Sequence, residues 1–199
     1  PPAPEVSEVS ALAKQARFTG QFRRDLAGSD ALHWGEGTVT VGAQHAYHLL
    51  AEGLFDRSSR VGLEEPGHPH ARNTFSLRQP VFVPVSVDED GVQPDALPPL
   101  DYLFVTPSHQ YPCGGIMPLN QRLALLQWAQ QQRCWLVEDD YDSEFRYTGR
   151  PLPSIRSIDR TGRVIYVGTF CKIAFPALRL GYLVLPPALA EAFAQRRAL

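Results

Sequence analysis

The chain has 199 residues, of which 44% are hydrophobic and 20% charged, and its formal net charge at pH 7 is -2. This length and balance predict one soluble globular domain that buries a substantial core. The slightly acidic charge argues against a surface that neutralises DNA or an anionic membrane, and the absence of a secretory leader or of an apolar run of about 18 residues predicts a cytoplasmic location.

Predicted strands and helices alternate from residue 37 onward. Residues 1–36 open on prolines and show no regular pattern, so they are predicted to be a linker or a degenerate N-terminal segment. The predicted strands are residues 37–41, 60–64, 80–87, 101–106, 134–138, 163–168 and 181–185. Helices are predicted from about residue 44 to 55 and from 118 to 133, and a last helix begins at Pro186 or Pro187.

The predicted strands are mostly apolar throughout, with a helix between at least one pair. This pattern is typical of an α/β fold in which helices cover both faces of a largely parallel sheet. Strand 80–87 instead alternates with a period of two and contains two prolines, which predicts a position at the edge of the sheet. The pattern does not specify the order of the strands.

Polar and ionisable side chains follow the carboxyl ends of five predicted strands. In an open α/β sheet these ends line one crevice, where ligands bind, so the five segments are predicted to converge on one site. Taken singly, each segment is explained equally well as a turn or a helix cap. The segments are VGAQH, EEPGHPHAR, TPSHQYPCGG, EDDYDSEF and GTFCK.

The chain has seventeen arginines and only two lysines, Lys14 and Lys172. Lysine, unlike arginine, can lose its proton in a protein and act as a nucleophilic amine. Lys172 directly follows an apolar strand, in GTFCKIAF, where the charged form of the amine is disfavoured, as Schiff-base chemistry requires. The alternative is a surface lysine, which is our interpretation of Lys14.

Two segments could bind an anion. Strand 37–41 runs into Gly42, Ala43 and Gln44 at a helix start, where free N–H groups and the helix dipole attract negative charge. Arg179 could add a bidentate contact to a phosphate, although it could equally be an arginine at the edge of the core. Neither nucleotide-binding pattern, G-x-x-x-x-G-K-[ST] or G-x-G-x-x-G, matches this helix start.

Asp139 is predicted to stand just past the strand in CWLVEDDYDSEF. A carboxylate in that position needs a cation or a strong donor, and a protonated ring nitrogen would be suitable. The competing interpretation is a solvated acidic loop.

A metal site is the third interpretation of this acidic run. Glu138, Asp139, Asp140 and Asp142 could bind magnesium, but that would require a phosphate or further ligands that the sequence does not identify. The three cysteines are odd in number and have no C-x-x-C spacing, so we expect reduced thiols and no zinc site. No metal is expected.

Together these segments resemble the large domain of fold-type-I pyridoxal-phosphate enzymes, and specifically the aminotransferase-like domain of MocR/GabR-type regulators in the GntR family. The resemblance is carried by VTPSHQYPCGG, VEDDYDSEFRY and GTFCKIAFPALRLGYLVLP, in this order and with family-like spacing. It covers residues 37–199 and implies an incomplete aminotransferase class I/II-like large domain that binds pyridoxal 5'-phosphate.

The resemblance implies a role for individual residues. Lys172 would form a Schiff base with the cofactor, and Asp139 would pair with its protonated pyridine nitrogen. Tyr141 would hydrogen-bond the ring hydroxyl with Tyr111 nearby, and His68 would lie against the ring. The phosphate would be held by Ala43, Gln44, Thr169 and Arg179.

The sequence departs from the family pattern at several positions. His68 replaces the tyrosine of the E-x-P-G-Y pattern, Cys113 replaces a threonine, and Cys171 replaces the serine before the lysine. Val41 stands where serine is usual, and residues 5–36 lack a G-Y-P-P-L-R-like segment. These departures bear on the affinity for the cofactor more than on its identity.

The resemblance implies a cofactor-sensing module of a MocR-type transcriptional regulator that binds pyridoxal phosphate and a small amino compound. The alternatives are an aminotransferase acting on an amino acid or amine, in which Lys172 moves a proton, and an inactive remnant. We expect a fragment, without the winged-helix domain that binds DNA and without the small C-terminal domain. A homodimer is expected because related proteins bind the cofactor at a dimer interface.

Overall fold

Eight strands form one sheet in the part of the chain that the structure describes. This computed structural model describes residues 37–141, 152–169, 180–190 and residue 193, so the predicted segment 1–36 lies outside it. The strands are β1 (Gly37–Thr40), β2 (Arg60–Glu65), β3 (Val81–Asp88), β4 (Gly91–Val92), β5 (Tyr102–Val105), β6 (Trp135–Asp140), β7 (Val164–Thr169) and β8 (Gly181–Val184). The helices are α1 (Gly42–Leu54), α2 (Pro69–Phe75), α3 (Leu119–Gln132) and α4 (Ile155–Ile158), with 3-10 turns at Ser76–Arg78 and Pro94–Ala96. Residues 187–190 are also helical, as predicted for the helix that begins at Pro186 or Pro187.

The centre of the sheet is parallel. The strand order is β1-β8-β7-β6-β5-β2-β3-β4. Strands β7, β6, β5, β2 and β3 run in the same direction, whereas β8 is antiparallel to both its neighbours and β4 is antiparallel to β3. Because β8 reverses between β7 and β1, β1 also runs in the direction of the central strands. The predicted α/β class with a mostly parallel sheet is confirmed.

The predicted elements are present with small shifts at their ends. Helix α1 begins at Gly42, two residues before the predicted start, and the positive φ of 76° at Gly42 turns the chain from β1 into the helix. Strand β6 continues to Asp140, so the prediction that Asp139 lies past the strand is wrong. The prediction that strand 80–87 lies at the edge of the sheet is wrong, because β4 takes that place. Strand β4 pairs with only the last two residues of β3, however, so Pro84, which has no N–H to donate, lies where β4 does not cover the strand.

Helices pack on both faces of the sheet because successive residues of its strands point to opposite sides. On one face, Phe104, Val137 and Ile165 pack beneath α1 and α2, together with Phe75 and Phe193. On the other face, Leu103, Leu136 and Val164 pack beneath α3 and the start of α4. Burial on both faces explains why the strands are apolar throughout. No helix of the described ranges is long and apolar enough to cross a membrane.

Arg122 of α3 is completely buried and ties together three segments. Its Nε donates to the Met117 carbonyl at 2.9 Å, its Nη1 to the Pro153 carbonyl at 2.9 Å and its Nη2 to the Pro107 carbonyl at 2.8 Å. A buried cation is tolerated only when it is well hydrogen-bonded, and the guanidinium fork meets this condition. Arg122 therefore anchors the loop after β5 to the segment before α4.

Replacing this arginine should destabilise the fold. In Arg122→Met, the carbonyls of Met117 and Pro153 lose the guanidinium donor, whereas the Pro107 carbonyl keeps the Met117 backbone N–H. Each buried carbonyl left unsatisfied costs about 1–3 kcal/mol. The free energy of unfolding, measured by urea denaturation, should fall by about 3 kcal/mol or more. Gln127→Met, on the exposed side of the same helix, should change it by less than about 0.5 kcal/mol. Equal effects of the two substitutions would show that Arg122 is not an anchor.

Candidate functional site

Four of the predicted site residues lie close together at the carboxyl ends of the parallel strands. The ring centroids of His68 and Tyr111 are 4.8 Å apart, and that of Tyr141 lies 6.4 Å from His68 and 6.2 Å from Tyr111. Tyr47 of α1 joins Asp139 to this group, since its ring lies 5.9 Å from His68 and its hydroxyl bonds the Asp139 carboxylate. The structure thus brings four rings and one carboxylate into one cluster.

Asp139 is buried, with 1% of its surface exposed, and Tyr47 is one of its partners. The Tyr47 hydroxyl donates to Asp139 Oδ2 at 2.7 Å. Burial, together with the negative charge of Asp139, raises the pKa of Tyr47 far above its ordinary value, so the hydroxyl remains a donor. The contact fixes the position of one oxygen of the carboxylate.

Sequence reasoning missed Tyr47. It lies on the buried face of α1 beside Ala46 and Leu50, and its ring contacts Phe75 and Phe104 edge-on. A tyrosine on the apolar face of a helix needs a partner for its hydroxyl, and this was the available signal. The identity of the partner was not predictable, because Asp139 is 92 residues further along the chain.

The other predicted residues lie at the same edge of the sheet or outside the described residues. Ala43 and Gln44 form the first turn of α1, where the Gln44 side-chain amide donates to Thr74 Oγ1. Thr169 ends β7 and donates its hydroxyl to the Leu180 carbonyl at 3.3 Å. Lys172 and Arg179 lie outside the described residues.

His68 begins α2. Its Nδ1 accepts from the Ala71 backbone N–H at 3.4 Å, and Pro69 follows in the first helical turn. Burial, and to a lesser extent His70, lowers the pKa of His68, so the ring is neutral at pH 7. With Nδ1 as the acceptor, the proton is assigned to Nε2, and His68 can donate one hydrogen bond from that atom.

The acidic run on β6 divides between the two faces of the sheet. Glu138 accepts from the backbone N–H groups of Ile155 and Arg156 at 2.9 and 2.8 Å, and Asp140 accepts from the Tyr166 hydroxyl at 2.7 Å. Asp139, between them, faces α1 instead. These three carboxylates therefore do not face a common point, and no group of three or more metal-ligating side chains occurs within the described ranges.

Glu64 is a second buried carboxylate at the site, and sequence reasoning assigned it no role. It lies near the end of β2 with 4% of its surface exposed. It accepts from the backbone N–H and the hydroxyl of Thr106 and from the Gln110 amide. Burial raises the pKa of Glu64 to about 7, although these hydrogen bonds oppose the shift.

Comparison with known proteins places the site in a family context. The model of the family described as aminotransferase class I and II matches residues 35–199. The probable rhizopine catabolism regulatory protein MocR of Rhizobium meliloti is 44% identical over 157 residues, which are 78% of this chain and 32% of that protein. The HTH-type pyridoxine biosynthesis transcriptional regulator PdxR of Corynebacterium glutamicum is 41% identical over 162 residues, 81% of this chain and 35% of that protein.

A solved structure gives a likeness at the level of the fold. LysN, the alpha-aminoadipate aminotransferase of Thermus thermophilus, was crystallised with N-(5'-phosphopyridoxyl)-L-leucine. It superposes with a TM-score of 0.81 at 31% identity, over 90% of this chain and 47% of that chain. The chain thus spans about a third of the length of the two regulators and about half that of the enzyme.

Removing the Tyr47 hydroxyl should destabilise the protein. In Tyr47→Phe, the buried Asp139 carboxylate loses a donor, which costs about 1–3 kcal/mol of unfolding free energy. Tyr102→Phe is a matched control because the half-buried Tyr102 hydroxyl donates to a neutral acceptor, the Leu54 carbonyl, at 3.0 Å. Urea denaturation should show the larger loss for Tyr47→Phe. A loss no greater than that of Tyr102→Phe would contradict the importance of the contact.

Buried carboxyl groups should make stability fall as the pH rises. Burial raises the pKa of Glu64 and of Glu138 to about 7, from an ordinary value of 4.5. Between these values the native protein binds more protons than the unfolded chain, so the free energy of unfolding decreases with increasing pH. The stabilisation is complete below the ordinary pKa and is lost through about pH 7.

Substitution should isolate this effect. Each carboxyl contributes on the order of 1–3 kcal/mol between about pH 5 and pH 8. Glu138→Gln should reduce the slope measured by urea denaturation across this range, whereas Glu65→Gln, at an exposed position, should leave it unchanged. An unaltered slope in Glu138→Gln would show that this carboxyl titrates alike in both states.

Proposed function

The chain belongs to the aminotransferase class I and II family, and on that premise we propose that it is the pyridoxal-phosphate-binding sensor module of a MocR-type transcriptional regulator. The observation that carries the proposal is its identity of 44% and 41% with two proteins named as regulators, against 31% with the enzyme LysN. The module would consist of residues 37–199, preceded by a linker at 1–36. It would report the presence of the cofactor, and of an amino compound, to a DNA-binding domain elsewhere in the protein.

The described residues fit this cofactor. Asp139 supplies a buried carboxylate for the ring nitrogen, and its bond to Tyr47 orients it without neutralising it. His68 and Tyr111 supply ring faces beside it, and Tyr141 supplies a hydroxyl for the ring oxygen. When bound, pyridoxal phosphate supplies an electron-withdrawing ring that stabilises negative charge at the amino compound. The residues of this chain bind the cofactor, orient it and hold its protons.

The start of α1 is the proposed phosphate site. The first N–H groups of a helix have no acceptor within the helix, and Val41 provides no side-chain cap. Because Thr74 holds the Gln44 amide, we assign the phosphate contacts to the backbone of Ala43 and Gln44. Thr169, the last residue of β7, lies at the same edge of the sheet as this helix start. Together with Arg179, it completes the proposed set of phosphate-binding residues.

This site has a histidine, His68, at the position where the family pattern has a tyrosine. A neutral imidazole presents less aromatic surface than a phenol and offers one N–H donor at Nε2. The ring therefore lies against the cofactor with less apolar contact but can bond an acceptor beside it.

A second candidate is an aminotransferase, which the fold-level likeness to LysN favours. Lys172 would then move a proton at the α-carbon of the amino compound after being displaced from the cofactor. The two functions share one site and differ in turnover. Transamination between an amino acid and a keto acid, measured on the whole protein that contains this chain, separates the two functions, since sustained turnover would exclude a sensor without catalysis.

The protein is proposed to act as a homodimer.

The first test is covalent capture of the cofactor. Pyridoxal phosphate mixed with the purified chain should give the absorption band of a lysine-bound cofactor, and borohydride should fix it to the peptide containing Lys172. Lys14→Ala is the matched control because Lys14 is the other lysine of the chain; it should be labelled like the wild type. Lys172→Ala should not be labelled. Equal labelling of both variants would refute the assignment, and no labelling of the wild type would favour the inactive remnant.

A further inference from the structure

We infer that Glu64 is a positioning residue of the proposed cofactor site: its carboxylate connects the loop that carries His68 to the loop that carries Tyr111, and so sets the spacing of the two rings. This inference rests on the proposed function and assigns a task to a residue outside the predicted site. Glu64 acts through other residues and is not proposed to touch the cofactor.

The Glu64 carboxylate is the acceptor in each of its three hydrogen bonds. Its Oε1 accepts from the Thr106 backbone N–H at 3.2 Å, and its Oε2 accepts from Thr106 Oγ1 at 2.6 Å and from Gln110 Nε2 at 3.3 Å. An ionised carboxylate can accept all three, whereas a protonated carboxyl or an amide would place a donor against one of them. The geometry is therefore that of a carboxylate acceptor.

Thr106 carries the connection to Tyr111. The single proton of its hydroxyl is given to Glu64, so the oxygen is free to accept from the Tyr111 backbone N–H at 3.0 Å. The hydrogen bonds run in one direction, from Tyr111 through Thr106 to Glu64, and such chains strengthen one another. Thr106 is fully buried, so water does not replace the hydroxyl.

Gln110 carries the connection to the loop of His68. Its Nε2 has two protons, which it donates to the Pro66 carbonyl at 2.9 Å and to the Tyr111 carbonyl at 2.7 Å, and the longer contact to Glu64 Oε2 at 3.3 Å shares one of them. Gly67 lets the chain fold back at this point, because a Cβ there would collide with the carbonyl oxygen of Glu64. The helix that His68 caps is thus tied to the same carboxylate as Tyr111.

The ring spacing follows from these two connections. The 4.8 Å between the His68 and Tyr111 centroids is the shortest distance that the structure gives from His68 to another ring. Both residues sit on loops whose backbone groups are bonded to the Glu64 network. Loss of the acceptor should therefore change the ring spacing before it unfolds the sheet.

The titration of Glu64 gives the inference a pH signature. Burial raises its pKa to about 7, and hydrogen bonds from Thr106 and Gln110, both uncharged, oppose the shift. The charged and titratable groups that line the same cleft as Glu64 are Glu65, His68 and Arg72, and His70 and Tyr111 lie beside the His68 ring. Protonation of Glu64 removes one acceptor, so cofactor affinity should fall as the pH is lowered through about 7.

The test uses the full chain and four substitutions. Glu64→Gln keeps the shape but removes an acceptor, and Thr106→Val removes the bridging hydroxyl, which Thr106→Ser restores. Glu65→Gln is the control, since Glu65 is the neighbouring exposed carboxylate, paired with Arg72. Two quantities are measured for each variant: the dissociation constant of pyridoxal phosphate, and the NMR shifts of the His68 ring protons in the cofactor-free protein.

Glu64→Gln and Thr106→Val should each weaken binding by about tenfold, which corresponds to about 1.4 kcal/mol. The variant that combines Glu64→Gln with Thr106→Val should bind the cofactor only slightly more weakly than either single variant, because both substitutions break the same connection. Both should shift the His68 signals, and Glu64→Gln should lose the step in affinity near pH 7. Thr106→Ser should recover most of the lost affinity, and Glu65→Gln should bind like the wild type.

The outcomes separate this inference from the proposed function. Wild-type binding with unchanged affinity and unchanged His68 signals in Glu64→Gln would overturn the inference and leave the function standing. If the wild type does not bind the cofactor, the function fails, and the His68 signals alone support or overturn the inference. If Glu64→Gln does not fold, the two Thr106 variants test the inference instead. Equal cofactor affinity and equal His68 signals in Thr106→Ser and Thr106→Val would overturn it.

Discussion

Buried carboxylates at the carboxyl ends of the parallel strands are the constraint on which the rest of the site depends. Glu64, Glu138, Asp139 and Asp140 each lie on a central strand with less than 9% of their surface exposed. A carboxylate removed from water has to obtain its donors from the protein, and here each obtains them from a different segment. The chain after β5, the start of α4, helix α1 and strand β7 are all held in this way.

The same arrangement explains how a polar site can form on an apolar sheet. The faces of β5, β6 and β7 are filled by two separate cores, so ionisable groups collect where the strands end. The buried Arg122 also stabilises this edge of the sheet, since it donates a hydrogen bond to the carbonyl of Pro107 in the loop that leads to Tyr111. Its positive charge also lowers the pKa of Glu138, against the larger effect of burial.

The fold was predictable from sequence because strands buried on both faces are apolar throughout, as in residues 164–168, and because this property is local. The end of β6 was not predictable, since three consecutive acids are typical of a loop unless other segments supply their donors. Helix α2 was missed because histidine is an uncommon N-cap. The pairing of Tyr47 with Asp139 and the network of Glu64 depend on contacts between distant segments, and local patterns do not specify those. The resemblance to a known family named the site residues; their cofactor roles remain predictions.

The pairing of β1 with β8 has a consequence for the synthesis of the protein. In the described sheet, the first strand has the last strand as its hydrogen-bonded neighbour, with Thr40 opposite Gly181. While the chain leaves the ribosome, β1 therefore remains unpaired and α1 lacks its contacts to Leu183 and Leu185. Both conditions last until β8 has been translated. The helix start proposed to bind phosphate is completed only after β8 has been translated, and nascent chains interrupted before β8 would lack it.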